Sequence, residues 1–136
     1  MHLLIDGYNG DARKLASETA VRHFLETLPA LISMTPITDP VIVHYQAVNS
    51  EDGGLTGFRI VAESHLSVHT YPETASLWAD IFSCKAFDAE KVIATVGEIF
   101  GLLQAKTLCV ARGIAEARSD DHKWRECFRR PVLEKR

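Results

Sequence analysis

The chain has 136 residues, 46% of them hydrophobic and 24% charged, which suits one compact domain with a single core. A formal net charge of −3 and a pI near 6.0 give no reason to expect a polyanionic partner. No apolar run approaches the roughly 20 residues that span a bilayer. Met1-His2-Leu3-Leu4-Ile5-Asp6 meets an acid too early for a signal peptide, so the expectation is a cytoplasmic protein with no membrane partner.

In chain order, residues 2–8 form a strand-like apolar run that ends at the turn signal Gly7-Tyr8-Asn9-Gly10. From Ser17 the period becomes helical, with Val21, Phe24, Leu25, Leu28, Leu31 and Ile32 on one stripe. Pro29 interrupts it and predicts a kink or restart. Residues 40–48 return to strand character, Asn49-Ser50-Glu51-Asp52-Gly53-Gly54 is a polar turn, and residues 57–63 form the second arm of a hairpin with a long connection.

Residues 65–71 alternate strictly, Leu66 and Val68 facing one way and His65, Ser67, His69 and Tyr71 the other, until Pro72 ends the run. The next strand spans 77–84, with Trp78, Asp80, Phe82 and Cys84 on one face. Asp88 is a fitting N-cap for a second helix, whose stripe is Val92, Ile93, Val96, Ile99, Phe100 and Leu103. Residues 106–110 make a last strand. These elements predict an α+β domain over residues 1–112, a two-layer sandwich with a mainly antiparallel sheet and two helices on one face. The other face must be solvated or paired, and a sheet-on-sheet dimer is one economical answer.

Residues 113–136 form a polar extension in which basic and aromatic residues interleave from Ser119 to Arg130. Acids are interspersed and the segment is short, so dimer packing or partial disorder is expected ahead of a nucleic-acid contact. Cys84, Cys109 and Cys127 are odd in number and widely spaced, with neither a disulfide framework nor a C-x-x-C pair. Cys109 reads as inert and buried.

The chemistry-bearing stretch is Glu63-Ser64-His65-Leu66-Ser67-Val68-His69-Thr70-Tyr71-Pro72-Glu73, followed by Asp80-Ile81-Phe82-Ser83-Cys84. It gathers three serines, two histidines, three carboxylates and a cysteine on neighbouring strands. For any one of them, decoration of a solvated sheet face is the plainer reading, and composition alone assigns no reaction. On a strand His65 and His69 lie about 13 Å apart, too far to share a zinc ion. On a helix a zincin would need Glu after the first histidine, where Leu66 stands. No G-x-S-x-G elbow, G-x-G-x-x-G or phosphate loop is present, so no metal or nucleotide-phosphate site is expected.

Residues 62–73 and 80–84 resemble the processing and active-site segment of the prokaryotic S-adenosylmethionine decarboxylase family, whose pattern is close to E-S-H-[LI]-[ST]-[IV]-H-T-[WY]-P-E and then D-[IVL]-[FY]-[ST]-C. Leading His2-Leu3-Leu4-Ile5-Asp6 with Tyr8 is similar to the family's first strand, and the likeness extends over about residues 2–112. It implies a proenzyme that cuts itself between Glu63 and Ser64. The serine hydroxyl attacks the Glu63 carbonyl to form an ester; a base then takes the serine α-proton. Elimination leaves a dehydroalanine that hydrolyses to a pyruvoyl cofactor derived from Ser64.

The resemblance makes His69 the processing histidine, a role that suits an imidazole of pKa about 6.5. It implies that the pyruvoyl ketone forms a Schiff base with the substrate amine and takes up the electrons freed as carbon dioxide leaves. The resemblance assigns to Cys84 the return of a proton to the substrate α-carbon, which a thiol can donate. Glu73 matches a carboxylate that contacts the ribose.

Gly54-Leu55-Thr56-Gly57 departs from the family's G-[VL]-S-G and offers Thr56 as the processing hydroxyl. The segment between His44 and Gly54 is longer than usual, with Tyr45 as the substitute for the ring that stacks on adenine. Thr74-Ala75-Ser76 replaces Gly-Tyr, and Lys85 replaces glycine. The implied function is decarboxylation of S-adenosylmethionine for polyamine (spermidine) synthesis by a homodimer of cleaved protomers. The alternatives are a related decarboxylase acting on ornithine or arginine, and an unprocessed relative acting as a binding or regulatory subunit.

Overall fold

The computed structural model describes residues 1–112 and 125–127. The alternating run at the start becomes β1 (His2–Tyr8), with Leu3 and Ile5 buried. Asp11 caps α1 (Ala12–Leu15) by accepting from the backbone N–H groups of Arg13 and Lys14. This single turn carries no periodicity of its own, which is why the sequence did not announce it. Ser17 caps α2 (Glu18–Leu31) through the Ala20 N–H, and Val21, Phe24, Leu25 and Leu28 fill its buried face.

The helix continues through Pro29 to Leu31, so it does not restart there. Proline removes the N–H that would bond the carbonyl four residues back, that of Leu25. Arg59 donates Nη1–H to that carbonyl at 3.0 Å, and its Nε–H to the Thr38 carbonyl at 2.9 Å. The orphaned acceptor is satisfied from the sheet, and α2 continues for two more residues.

The remaining strands are β2 (Val41–Tyr45), β3 (Gly54–Val61), β4 (Ser64–Tyr71), β5 (Ser76–Ser83) and β6 (Gln104–Val110), with α3 (Ala89–Phe100) between the last two. β3 begins three residues earlier than its composition suggested, because Gly54 and Gly57 are tolerated in it for packing reasons. A side chain at Gly54 would sit 1.8 Å from the Thr70 carbonyl oxygen, and one at Gly57 would lie 2.6 Å from Val21 of α2. β5 ends at Ser83, so Cys84 lies just past the strand and is exposed rather than on its face. Asp88 caps α3 as expected, accepting from the Lys91 N–H. Leu103 is beyond the helix and exposed, so it does not belong to the buried stripe.

One further strand, β7 (Arg125–Cys127), comes from the polar extension and pairs antiparallel with β6. The rest of that extension, residues 113–124 and 128–136, including most of the basic and aromatic stretch, lies outside the described residues. The seven strands form one antiparallel sheet in the order β2-β3-β4-β5-β1-β6-β7, and the domain is an α+β two-layer sandwich.

The core lies between the sheet and the helices. Leu3, Ile5, Leu66, Val68, Leu77 and Ile81 meet Phe24, Leu28, Val92, Val96 and Phe100, with the two phenylalanine rings 6.0 Å apart. Burying one such side chain stabilises the fold by about 1.5–3 kcal/mol. Cys109 packs at the margin of this core and is half-buried, less enclosed than expected.

Strand register fixes what stands on the opposite face. Val41, Phe58, Ser67, Asp80 and Leu4 form one cross-strand row; Val43, Thr56, His69, Trp78, Asp6 and Lys106 form the next. Among the described residues, no helix covers this side. Phe58, Ile60 and Trp78 are 38%, 41% and 39% exposed on it.

Candidate active site

The expected cleavage point falls at a tight corner. Val61 pairs with Ser64 across the end of the β3–β4 ladder, so Ala62 and Glu63 alone make the turn. The Glu63 side chain folds inward and is only 7% exposed. One of its oxygens accepts from the Thr35 N–H at 2.9 Å and the other from Lys85 Nζ at 3.3 Å. The Thr35 bond, reinforced by the Lys85 contact, holds the carboxyl below its usual pKa against the opposing effect of burial.

The main-chain carbonyl of Glu63 accepts from the backbone N–H of Cys84 at 3.0 Å. A donor already aimed at that oxygen polarises the carbonyl and stabilises negative charge appearing on it. The exposed Cys84 is thus tethered through its own backbone to the bond in question. Lys85 N–H in turn donates to the fully buried Ser83 hydroxyl at 2.9 Å, which fixes the path of the chain after β5.

Ser64 Oγ lies 3.1 Å from His65 Nδ1. The His65 ring is stacked on Phe58 at 5.4 Å and meets the edge of Phe82 at 5.7 Å. Burial is the main cause that pushes its pKa below the usual histidine value; His2 and Arg112 act in the same sense and Asp80 opposes them. His2 and Asp80 form their own contact at 3.0 Å, and Arg112 sits 4.3 Å above the Phe82 ring.

A second group stands at the far end of β4. Thr56 and His69 are cross-strand partners, with Oγ1 and Nδ1 2.9 Å apart. Trp78 flanks His69 on β5 and meets Tyr71 edge-on at 4.6 Å. In the same row Asp6 has its pKa raised, first by burial and then by the charge of Asp80, with Lys106 pulling it down. Tyr45 and Glu73 both line a hollow of about 470 Å³ beside this end, together with His44, Gly54 and Pro72. The 3-10 turn at Pro72–Thr74 and a left-handed Ala75 set the Glu73 backbone at its rim.

The expected residues therefore fall into two sets. Glu63, Ser64 and Cys84 meet at the β3–β4 corner; Thr56, His69, Tyr45 and Glu73 gather at the opposite end of the same strands. Ser64 and His69 are five residue steps apart along β4, about 16 Å at the usual rise. Two residues of the corner escaped the sequence reading. His65 was weighed only as a metal ligand, although its place directly after Ser64 was a usable signal. Lys85 appeared merely as a replaced glycine, because its partner Glu63 is 22 residues away.

The sequence profile of the S-adenosylmethionine decarboxylase family matches residues 1–113. The chain is similar to the S-adenosylmethionine decarboxylase proenzyme of Aquifex aeolicus (strain VF5), with 31% identity over 123 residues, 88% of this chain and 85% of that protein. It is 29% identical to the proenzyme of Clostridium botulinum (strain Loch Maree / Type A3) over 113 residues, 82% of this chain and 92% of the relative. The crystal structure of the adenosylmethionine decarboxylase from Aquifex aeolicus VF5 superposes with a TM-score of 0.69 at 26% identity, covering 88% of this chain and 94% of that one.

Proposed function

The chain belongs to the S-adenosylmethionine decarboxylase family, and from that premise we propose that it cuts itself between Glu63 and Ser64 and decarboxylates S-adenosylmethionine for polyamine synthesis. The observation that carries this reading is the pinned bond at the corner. Its carbonyl oxygen already accepts the Cys84 N–H at 3.0 Å, and the nucleophilic hydroxyl belongs to the very next residue.

The corner fits a prosthetic group made from Ser64. The serine stands at the first position of β4, half-exposed, with Cys84 beside it and the upstream chain held by Glu63, Thr35 and Lys85. The pyruvoyl group would supply an electron-withdrawing ketone that takes up the electrons released as carbon dioxide leaves. Cys84 would hold the proton that the substrate α-carbon needs afterwards. Glu73 and Tyr45, which line the hollow at the opposite end of the strands, would orient the substrate for the corner of a second copy, the carboxylate through the ribose hydroxyls and the ring against the base.

His69 would remove the Ser64 α-proton during maturation, with Thr56 fixing its ring. Within one chain it stands about 16 Å away, beyond any proton transfer. Two copies packed open face to open face about a two-fold axis through β4 would bring His69 of each to the corner of the other. The uncovered Phe58, Ile60 and Trp78 support such a homodimer of cleaved protomers, since an apolar sheet face of this kind calls for a partner.

Denaturing mass spectrometry together with a carbon dioxide release assay tests the reading. Two fragments, 1–63 and 64–136, are expected, with release from S-adenosylmethionine. An intact chain would overturn the cleavage, and release only from ornithine or arginine would overturn the substrate.

A further inference from the structure

We infer that His65 is the base that activates Ser64 for attack on the Glu63 carbonyl, a role separate from that of His69 in the later elimination. The inference rests on self-cleavage at Glu63-Ser64. Its ground is the 3.1 Å approach of Nδ1 to Ser64 Oγ, combined with a ring clamped between Phe58 and Phe82. The clamp fixes the imidazole plane and leaves Nδ1 at the hydroxyl. Among the histidines of the sheet, His2 is engaged with Asp80 and His69 with Thr56.

With Nδ1 unprotonated, the Ser64 hydroxyl donates to it. As the Oγ–H bond breaks, its proton passes to Nδ1, and the oxygen electron pair forms a bond to the Glu63 carbonyl carbon. The carbonyl π pair moves onto oxygen, where the Cys84 N–H holds it. Collapse restores the carbonyl and breaks the bond from that carbon to the Ser64 nitrogen, which takes back the proton from His65. An ester and a free amine result, His65 ends neutral, and no other reactant is consumed.

The surroundings favour a neutral ring ready to accept. Burial, His2 and Arg112 disfavour its protonated form, with Asp80 alone in opposition, so the base stays available below the pH at which an exposed histidine would protonate. Lys85 and Glu63 pair with each other at the same corner and leave the Nδ1 contact to Ser64.

Trapping the ester tests this directly. In a His69→Ala chain the elimination is blocked, so the ester accumulates and hydroxylamine splits the chain at residue 63. Adding His65→Ala is expected to lower the hydroxylamine-split fraction at least tenfold at a fixed time. Free imidazole, entering the space between Phe58 and Phe82, is expected to restore part of it. His65→Gln serves as a second variant, whose rate of ester formation should no longer fall as the pH drops through the histidine range. Unchanged ester yield in the His65 variants would overturn the inference. So would a loss that imidazole does not repair and that leaves the pH profile unaltered, since that describes a packing residue. If the chain with both histidines intact never splits, the cleavage reading itself fails, and this inference with it.

Discussion

Thr56 and His69 face each other across the β3–β4 ladder with Oγ1 and Nδ1 2.9 Å apart. When Nδ1–H donates to the threonine oxygen, Nε2 is the bare nitrogen, the tautomer a base requires. Thr56→Val keeps the shape but removes the acceptor, and self-cleavage should slow at least tenfold. Thr56→Ser keeps the acceptor, frees χ1, and should cut at least as fast as the parent. A gel time course of fragment appearance decides both, and parental speed in the valine variant would remove the hydroxyl from the mechanism.

The separation of Ser64 from His69 along β4 makes a sharper demand. Expressed alone, Ser64→Ala and His69→Ala should each remain whole. Expressed together, the His69→Ala chain should be cut, because its corner meets the intact His69 of the other copy. Absence of fragments in the mixture would mean that the face-to-face arrangement is wrong.

Cys84 sits just past β5, and its backbone N–H bonds the Glu63 carbonyl at the cleavage corner. Cys84→Ala keeps that N–H, so fragments should form at close to the parental rate. Carbon dioxide release should nevertheless fall at least a hundredfold once the thiol proton is gone. Normal turnover in this variant would assign the proton to another group.

Glu63 predicts a dependence on acid. Its folded carboxyl binds a proton less readily than the unfolded one, chiefly because of the Thr35 N–H. The stability it contributes is present above the ordinary carboxylate value of 4.5 and is lost as the pH falls through the lower folded value. In an uncleaved Ser64→Ala background, Glu63→Gln should flatten the decline of melting temperature below pH 4.5. A decline of unchanged steepness would show that other carboxylates govern it.

Gly57 lies under α2, where an added methyl group would come within 2.6 Å of Val21 and 2.9 Å of Leu25. Gly57→Ala should cost about 1–3 kcal/mol through overpacking. Denaturant unfolding in the Ser64→Ala background measures this without interference from cleavage.

Where burial follows a simple period, sequence was a sufficient guide. β1, α3 and the alternation of β4 were legible because one face of each meets the core and the other does not. Legibility failed where a distant residue supplies the reason. Pro29 is tolerated because Arg59, 30 residues later, serves the carbonyl it orphans; β7 exists because β6 offers an edge, though its own residues are polar. In the candidate site the motif named Glu63, Ser64, His69 and Cys84 in order along the chain. Only the strand register revealed that they divide between two ends of a sheet, since spacing in sequence does not say which end of a ladder a residue joins.

On the proposed two-copy arrangement, that division would give maturation a built-in proofreading step. A newly made monomer would carry the scissile bond and His69 too far apart to meet, so no reactive ketone would form on a solitary or misassembled molecule. The onset of activity after synthesis should consequently accelerate with protein concentration, and dilution should preserve the silent precursor.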